Sequence, residues 1–220
     1  MLFRSLHRHR LVQLRTRVKN QLQAIALNEG MPRKPGLWSK TGRERFEALS
    51  LPAWTARRRQ DNLELLDQLV EHTDPLDQAV LEQARQRPEA ARLMTHPGVG
   101  PITALAFVLT IGDPSRFPDG KHVASYLGLI PAEYSSGGRQ RLGHISKQGN
   151  AMLRGLLVEA AHTAVRSIPE WRRAYTRLGM KKNRSIAAVA IARKLAIRMW
   201  WMWSHGLDYT QLVQSGSHAG

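Results

Sequence analysis

Thr95-His96-Pro97-Gly98-Val99-Gly100-Pro101 is the stretch from which the rest of the chain can be read. Gly98 and Gly100 can take positive φ and bring bare backbone to a surface. Pro101 suits the first position of a helix, where its missing N–H would be unpaired anyway. Ile102, Leu105, Ala106 and Leu109 follow at helical spacing, which predicts a helix whose apolar face anchors the turn. Unpaired amides at a helix N-terminus bind phosphate. The arrangement reads as the hairpin of a helix-hairpin-helix that grips a nucleic-acid backbone through Gly98, Val99 and Gly100 without reading bases. The plainer alternative is that these glycines and prolines cap one helix and start the next.

Charge favours the first reading. The 220 residues carry 33 Lys or Arg against 17 Asp or Glu, a net +16, which is far more than solubility requires and points to a polyanionic partner. With 42% hydrophobic residues and six Trp the chain should fold. Cysteine is absent, which excludes disulfides, thiolate nucleophiles and Cys-ligated zinc and fits a reducing cytoplasm. No stretch approaches the roughly 18 apolar residues of a membrane span, so no membrane partner is expected. The N-terminus lacks the apolar core of a secretory signal. The His residues show no metal-site spacing, and no carboxylates cluster as a two-metal nuclease needs.

Outward from the turn the pattern is helical almost throughout. Leu11, Leu14, Val18, Leu22 and Ile25 mark one basic helix over about Phe3 to Asn28. Trp38 to Leu51 reads as a short second helix ended by Pro52. Residues 61 to 90 then turn acidic, with Leu63, Leu66, Val70, Leu76 and Val80 spaced for a seam broken or kinked at Pro75. That seam suits either a coiled-coil arm, and hence a homo-oligomer, or an ordinary helix pair within one domain. Beyond the turn, Leu153 to Val165 is the best helix in the chain. Trp171 to Leu207 is basic, with Ile186, Val189, Ala190, Ile197 and Trp200 as its expected buried face and Lys194 and Arg198 on an exposed one. One short pair of strands flanks Gly137-Gly138. The expected fold class is mainly α: a basic helix and acidic helical or coiled-coil arm over 1–90, a helical domain with the helix-hairpin-helix-like motif over 91–207, and a flexible tail over 208–220.

The loop from Pro131 to Asn150 holds Ser135, Ser136, Gly137 and Gly138 within a few residues of Arg139, Arg141 and Lys147. A serine hydroxyl becomes a useful nucleophile only when its proton is removed or its attack is electrostatically assisted, and these cations could hold a phosphate and stabilise charge on it. A flexible phosphate-binding loop without catalysis is the plainer reading.

Several blocks taken together are more specific. Thr95 through Leu105, Tyr126-Leu127-Gly128-Leu129-Ile130-Pro131, Ser135 through Asn150 and Leu153-Arg154, in this order and spacing, resemble the C-terminal transposase domain of the insertion-sequence 110 family. The basic stretch Arg15 to Leu22 is similar to the segment joining that family's two domains. The resemblance implies Ser136 as the nucleophile for DNA strand cleavage and transfer, with Gly98, Val99, Gly100, Arg139, Arg141, Lys147 and Arg154 binding DNA. It also implies an N-terminal RuvC-like domain whose acidic tetrad binds Mg²⁺, and a structured guide RNA as a further partner. The chain is expected to begin after that domain and to need no cofactor of its own. The rival readings are a non-enzymatic nucleic-acid-binding module, an inactive transposase remnant, or an RNA-associated protein of ribosomal type.

Overall fold

A computed structural model describes residues 2–31, 36–134, 139 and 141–216. The described residues are mainly α, as expected, and their contacts form two compact units, one of residues 3–78 and one that begins at Ala79.

The first unit is built from α1 (Leu2–Asn28), α2 (Lys40–Glu47) and the larger part of α3 (Ala53–Gln86). Ser39 starts α2 by accepting a hydrogen bond from Gly42 N at 3.1 Å. Val18, Leu22 and Ile25 of α1 pack with Phe46 of α2 and with Leu63, Leu66 and Leu69 of α3 in one core. Burial of a side chain of this size stabilises by about 1.5–3 kcal/mol, and the first part of the expected seam, Leu63 and Leu66 with Val70 packed against them, is occupied within this unit. Charge complements the packing. Arg43 grips Asp67 with two hydrogen bonds of 2.7 and 2.6 Å, Arg15 donates to the buried Thr73 at 3.0 Å, and Arg8 pairs with Asp77. The sharp reversal of charge along the sequence is therefore partly a matching of basic α1 and α2 to acidic α3.

Of the break or kink expected at Pro75, the break does not occur, and α3 runs on through the proline. An interior proline removes one backbone hydrogen bond, but the contacts of Leu66, Leu69, Thr73 and Asp77 hold the helix on both sides of it.

The second unit holds α4 (Pro88–Leu93), α5 (Pro101–Ile111), a 3-10 turn (Pro114–Arg116), α6 (Gly120–Tyr126), strands β1 (Pro131–Glu133) and β2 (Leu142–Ile145), then α7 (Ala151–Ser167), α8 (Pro169–Lys181), α9 (Arg184–Ser204) and α10 (Tyr209–Gln214). Helix α5 is apolar all round, and every residue from Thr103 to Val108 is buried. It is thus a central core helix and not the one-faced anchor the spacing predicts. Helix α7 buries Leu153, Leu157, Ala160, Ala161 and Ala164, with the small residues allowing close approach.

Two expectations for the basic C-terminal region are corrected. Helix α9 buries Ala187, Ala188, Ile191, Ala192, Leu195, Ala196 and Met199, while Ile186 is 48% exposed. Its core face is therefore the alanine-rich one, because alanines let α7 and α8 approach closely, and Trp200 is the one residue of the expected stripe that is buried. Arg198, expected on the exposed face, is buried and lies over the Trp171 ring. Within the stretch expected as a tail, Asp208 and Gln211 form a capping box that starts α10, and Leu212 is buried.

Candidate nucleic-acid interface

The glycine turn follows α4 through hydrogen bonds from His96 N to Leu93 O at 3.1 Å and from Val99 N to His96 O at 3.0 Å. Gly98 has φ +90°, and a Cβ there would meet Ala160 O of α7 at 2.5 Å and Ala164 N at 2.7 Å. The close backbone approach that this glycine allows is made to α7. Val99 is buried. Gly100 is the N-cap of α5 with φ −90°, and a Cβ there would meet nothing within 4 Å. Of the three turn residues expected to touch DNA, Gly100 has open space beside it, next to a helix start without a side-chain cap.

His96 anchors the turn from inside. It is 1% exposed, its Nδ1 lies 2.8 Å from Pro97 O, and its ring packs against Trp171 and Tyr209. Because the Pro97 carbonyl only accepts, Nδ1 carries the proton. Burial disfavours the imidazolium and lowers the pKa to about 3; the Pro97 contact opposes this shift, and the charge on Arg198 adds to it.

The second cluster of expected site residues lies on the strand pair. β1 and β2 are antiparallel, with Pro131 opposite Ile145 and Glu133 opposite Leu142 and an irregularity between them. Tyr134 N donates to Arg141 O at 2.8 Å, continuing the pair outward. Ser135, Ser136, Gly137, Gly138 and Gln140 occupy the connection between the strands and lie outside the described residues. Arg139, Arg141 and Lys147 are exposed. Lys147 is held at φ +56°, the single described non-glycine residue in the left-handed region, a conformation that costs a lysine free energy and that the surrounding backbone must impose. Gly128 and Gly149 supply that constraint, since a Cβ on either would strike backbone of the other segment at 2.3 and 2.2 Å.

Arg154 is used differently from the other cations. Its Nη1 donates to Leu127 O at 3.3 Å and also to Gln148 O, tying the end of α6 to the turn before α7. Asn150 caps α7 by accepting from Leu153 N at 3.1 Å. The strand pair therefore stands at the N-terminal end of α7, while Gly98 rests on α7 at residues 160–164. Those positions are roughly 14–20 Å apart at 1.5 Å per residue, so the glycine turn and the basic loop are separate features of one framework. Among the described residues no group of three or more His, Asp or Glu could hold a metal ion.

The same framework is where known proteins match. Residues 90–177, from the glycine turn through the strand pair to α8, match the Transposase IS116/IS110/IS902 family. This segment belongs to that transposase family. A protein named probable family 20 transposase from Pseudomonas aeruginosa is 31% identical over 224 residues, covering 93% of this chain and 64% of its own length. The transposase for insertion sequence element IS1328 of Yersinia enterocolitica is 29% identical, covering 94% of this chain and 64% of its own length. The transposase for IS1111A of Coxiella burnetii is 29% identical over 88% of this chain and 55% of its own length. The chain thus spans between about half and about two thirds of the length of these three transposases.

Sequence reading misses two features of the transposase segment and its C-terminal neighbours. One is the group of buried His96, Trp171 and Arg198 with the half-buried Tyr209 against His96. The other is an open apolar groove of about 810 Å³ beside α9, edged by Lys121, Arg193 and Lys194. A signal for the first was available, because Arg198 sits among Ile197, Met199 and Trp200, where a solvent-facing cation is out of place.

Proposed function

We propose that this chain is the DNA-binding part of an insertion-sequence transposase and that it contributes Ser136 as the nucleophile for strand cleavage. The observation that carries the reading is the set of exposed cations flanking one strand pair, Arg139 and Arg141 at its outer end and Lys147 just past β2 at its base, within the segment matched to the family. Two glycines and the Arg154 brace hold the base of that pair. Arg139 and Arg141, beside the connection that contains Ser136, can hold a phosphodiester there and neutralise the charge that grows on it as the serine oxygen attacks, while Lys147, at the base of the pair, offers a separate contact to the nucleic-acid backbone. The attack would form a phosphoserine ester and release one sugar hydroxyl. The α5 N-terminus at Gly100 offers a second, weaker phosphate contact of the helix-hairpin-helix kind.

Serine deprotonation needs a further group. The described carboxylates do not cluster, and they do not fit a Mg²⁺ site. By resemblance to the family, a separate RuvC-like domain would hold Mg²⁺, and this chain would supply phosphate binding and the attacking oxygen. A guide RNA, a homo-oligomer and a place on the bacterial nucleoid belong to the same reading. No helix among the described residues is long and apolar enough to cross a membrane.

The test is covalent capture. The chain is mixed with labelled DNA and with a carboxylate-bearing RuvC-like domain in trans, and adducts are mapped by mass spectrometry. A phosphoserine at Ser136, lost in Ser136→Ala while DNA binding persists, is the expected result. An adduct on Ser135 would shift the assignment by one residue. DNA binding without any adduct would favour the non-enzymatic module.

A further inference from the structure

Beside the start of α8 lies a cavity of about 420 Å³ lined by Ile168, Pro169, Glu170, Arg173, Arg198 and Tyr209, among others. Its deepest polar group is Arg198, which is 8% exposed. The guanidinium stacks 4.6 Å from the centre of the Trp171 ring, and its Nε finds no hydrogen-bond partner. A buried donor left unsatisfied is costly, and a guanidinium presents its donors as a fork suited to an oxyanion.

Helix α8 adds to the demand for an anion. Its N-cap is Ile168, which offers no side-chain cap, and Pro169 at the first position has no N–H. The amides of Glu170 and Trp171 are then the first in the helix that need acceptors, and the positive end of the helix points the same way. Arg173 brings a second guanidinium to the rim. The charged groups around the cavity are thus Arg198, Arg173 and Glu170, with the Tyr209 hydroxyl and the neutral His96 nearby. Glu170 opposes an incoming anion, but it is an exposed side chain at the mouth.

We infer that this cavity binds a single phosphate group, with the buried guanidinium of Arg198 and the open N-terminus of α8 as its floor and Arg173 at its mouth. The group can come from free inorganic phosphate or from the phosphorylated end of a nucleic acid, since both present the same oxyanion. The inference rests on the cavity's own chemistry and stands apart from the role of Ser136.

Equilibrium dialysis of the full chain against labelled inorganic phosphate, at fixed ionic strength, tests it. Saturable binding is expected. Replacing the guanidinium in Arg198→Met, which keeps an apolar contact on Trp171, should weaken binding by about tenfold or more, as for loss of a charge-assisted hydrogen bond. Arg173→Gln and Glu170→Gln alter exposed side chains and keep the test sound should Arg198→Met fail to fold. The first should weaken binding by about threefold or more and the second should strengthen it by a similar factor, because a rim charge is partly screened. A 5′-phosphorylated dinucleotide is compared with its 5′-hydroxyl form. Phosphate-dependent dinucleotide binding with the same variant pattern supports a nucleic-acid source, and saturable binding of inorganic phosphate alone supports the free ion. Absence of saturable binding, or binding indifferent to all three substitutions, overturns the site. So does weaker binding in Glu170→Gln accompanied by lost stability, which would make Glu170 the resident counter-ion of Arg198.

Discussion

Gly98 sits so close to α7 that a β-carbon on it would lie 2.5 Å from the carbonyl oxygen of Ala160. The turn that presents Gly100 is thereby fastened to the helix that also carries Arg154. Gly98→Ala must adopt a left-handed backbone as well as push α7 away, and should cost about 2 kcal/mol or more of stability. Gly100→Ala, with open space around it, should change stability by less than about 1 kcal/mol. Urea unfolding of the two variants checks the contrast, and equal losses would mean that the turn is not held by α7.

His96 gives the chain a pH dependence of known sign. Its folded pKa of about 3 lies below its ordinary value, so the unfolded state binds the extra proton between pH about 6.5 and 3. The contribution of neutral His96 is complete above about pH 6.5 and is lost progressively as pH falls toward 3, at up to about 1.4 kcal/mol per pH unit. In a series of unfolding curves, His96→Phe should show a shallower decline over that window. An unchanged slope would show that His96 is not buried in its neutral form.

The exposed cations of the strand pair should appear in the salt dependence of DNA binding. Each phosphate contact removed lowers the log–log slope by about 0.9 on duplex DNA. Arg139→Ala and Lys147→Ala should each lower it by about that amount with stability preserved. Filter binding across salt concentrations measures both terms, and slopes equal to the parent's would place the DNA elsewhere on the chain.

Arg154 should act mainly through the fold. Its guanidinium is engaged by Leu127 O and Gln148 O, so Arg154→Ala should cost about 1–3 kcal/mol of stability through the unsatisfied carbonyls and the freed turn. DNA affinity should fall with it and recover when the loop is stabilised by low temperature. Affinity lost at unchanged stability would instead make Arg154 a direct DNA ligand.

In the first unit the acidic helix can be tested by neighbouring leucines. Leu66 is 4% exposed and Leu65 is 44% exposed. Leu66→Ala should destabilise by about 2–5 kcal/mol and Leu65→Ala by about 0.5 kcal/mol or less. Thermal unfolding separates them. Similar effects would mean that α3 packs through a different face.

The sequence alone determined the helical class, the positions of most helices, the strand pair around Gly137-Gly138 and the basic loop. These are local properties: apolar spacing, proline and glycine punctuation, and the side chains that cap α2, α7 and α9 are all legible over a few residues. Only the tertiary structure decided what those elements do to one another. Gly98 reads as a surface glycine until α7 is seen behind it, the sequence does not show that the Arg154 guanidinium donates to two backbone carbonyls, and Arg198 reads as solvent-facing until Trp171 covers it. Helical periodicity reports that a face exists, but the choice between the alanine face and the isoleucine stripe of α9 depends on how closely α7 and α8 approach. That approach is set by the shapes of side chains distant in the chain, which no local pattern encodes.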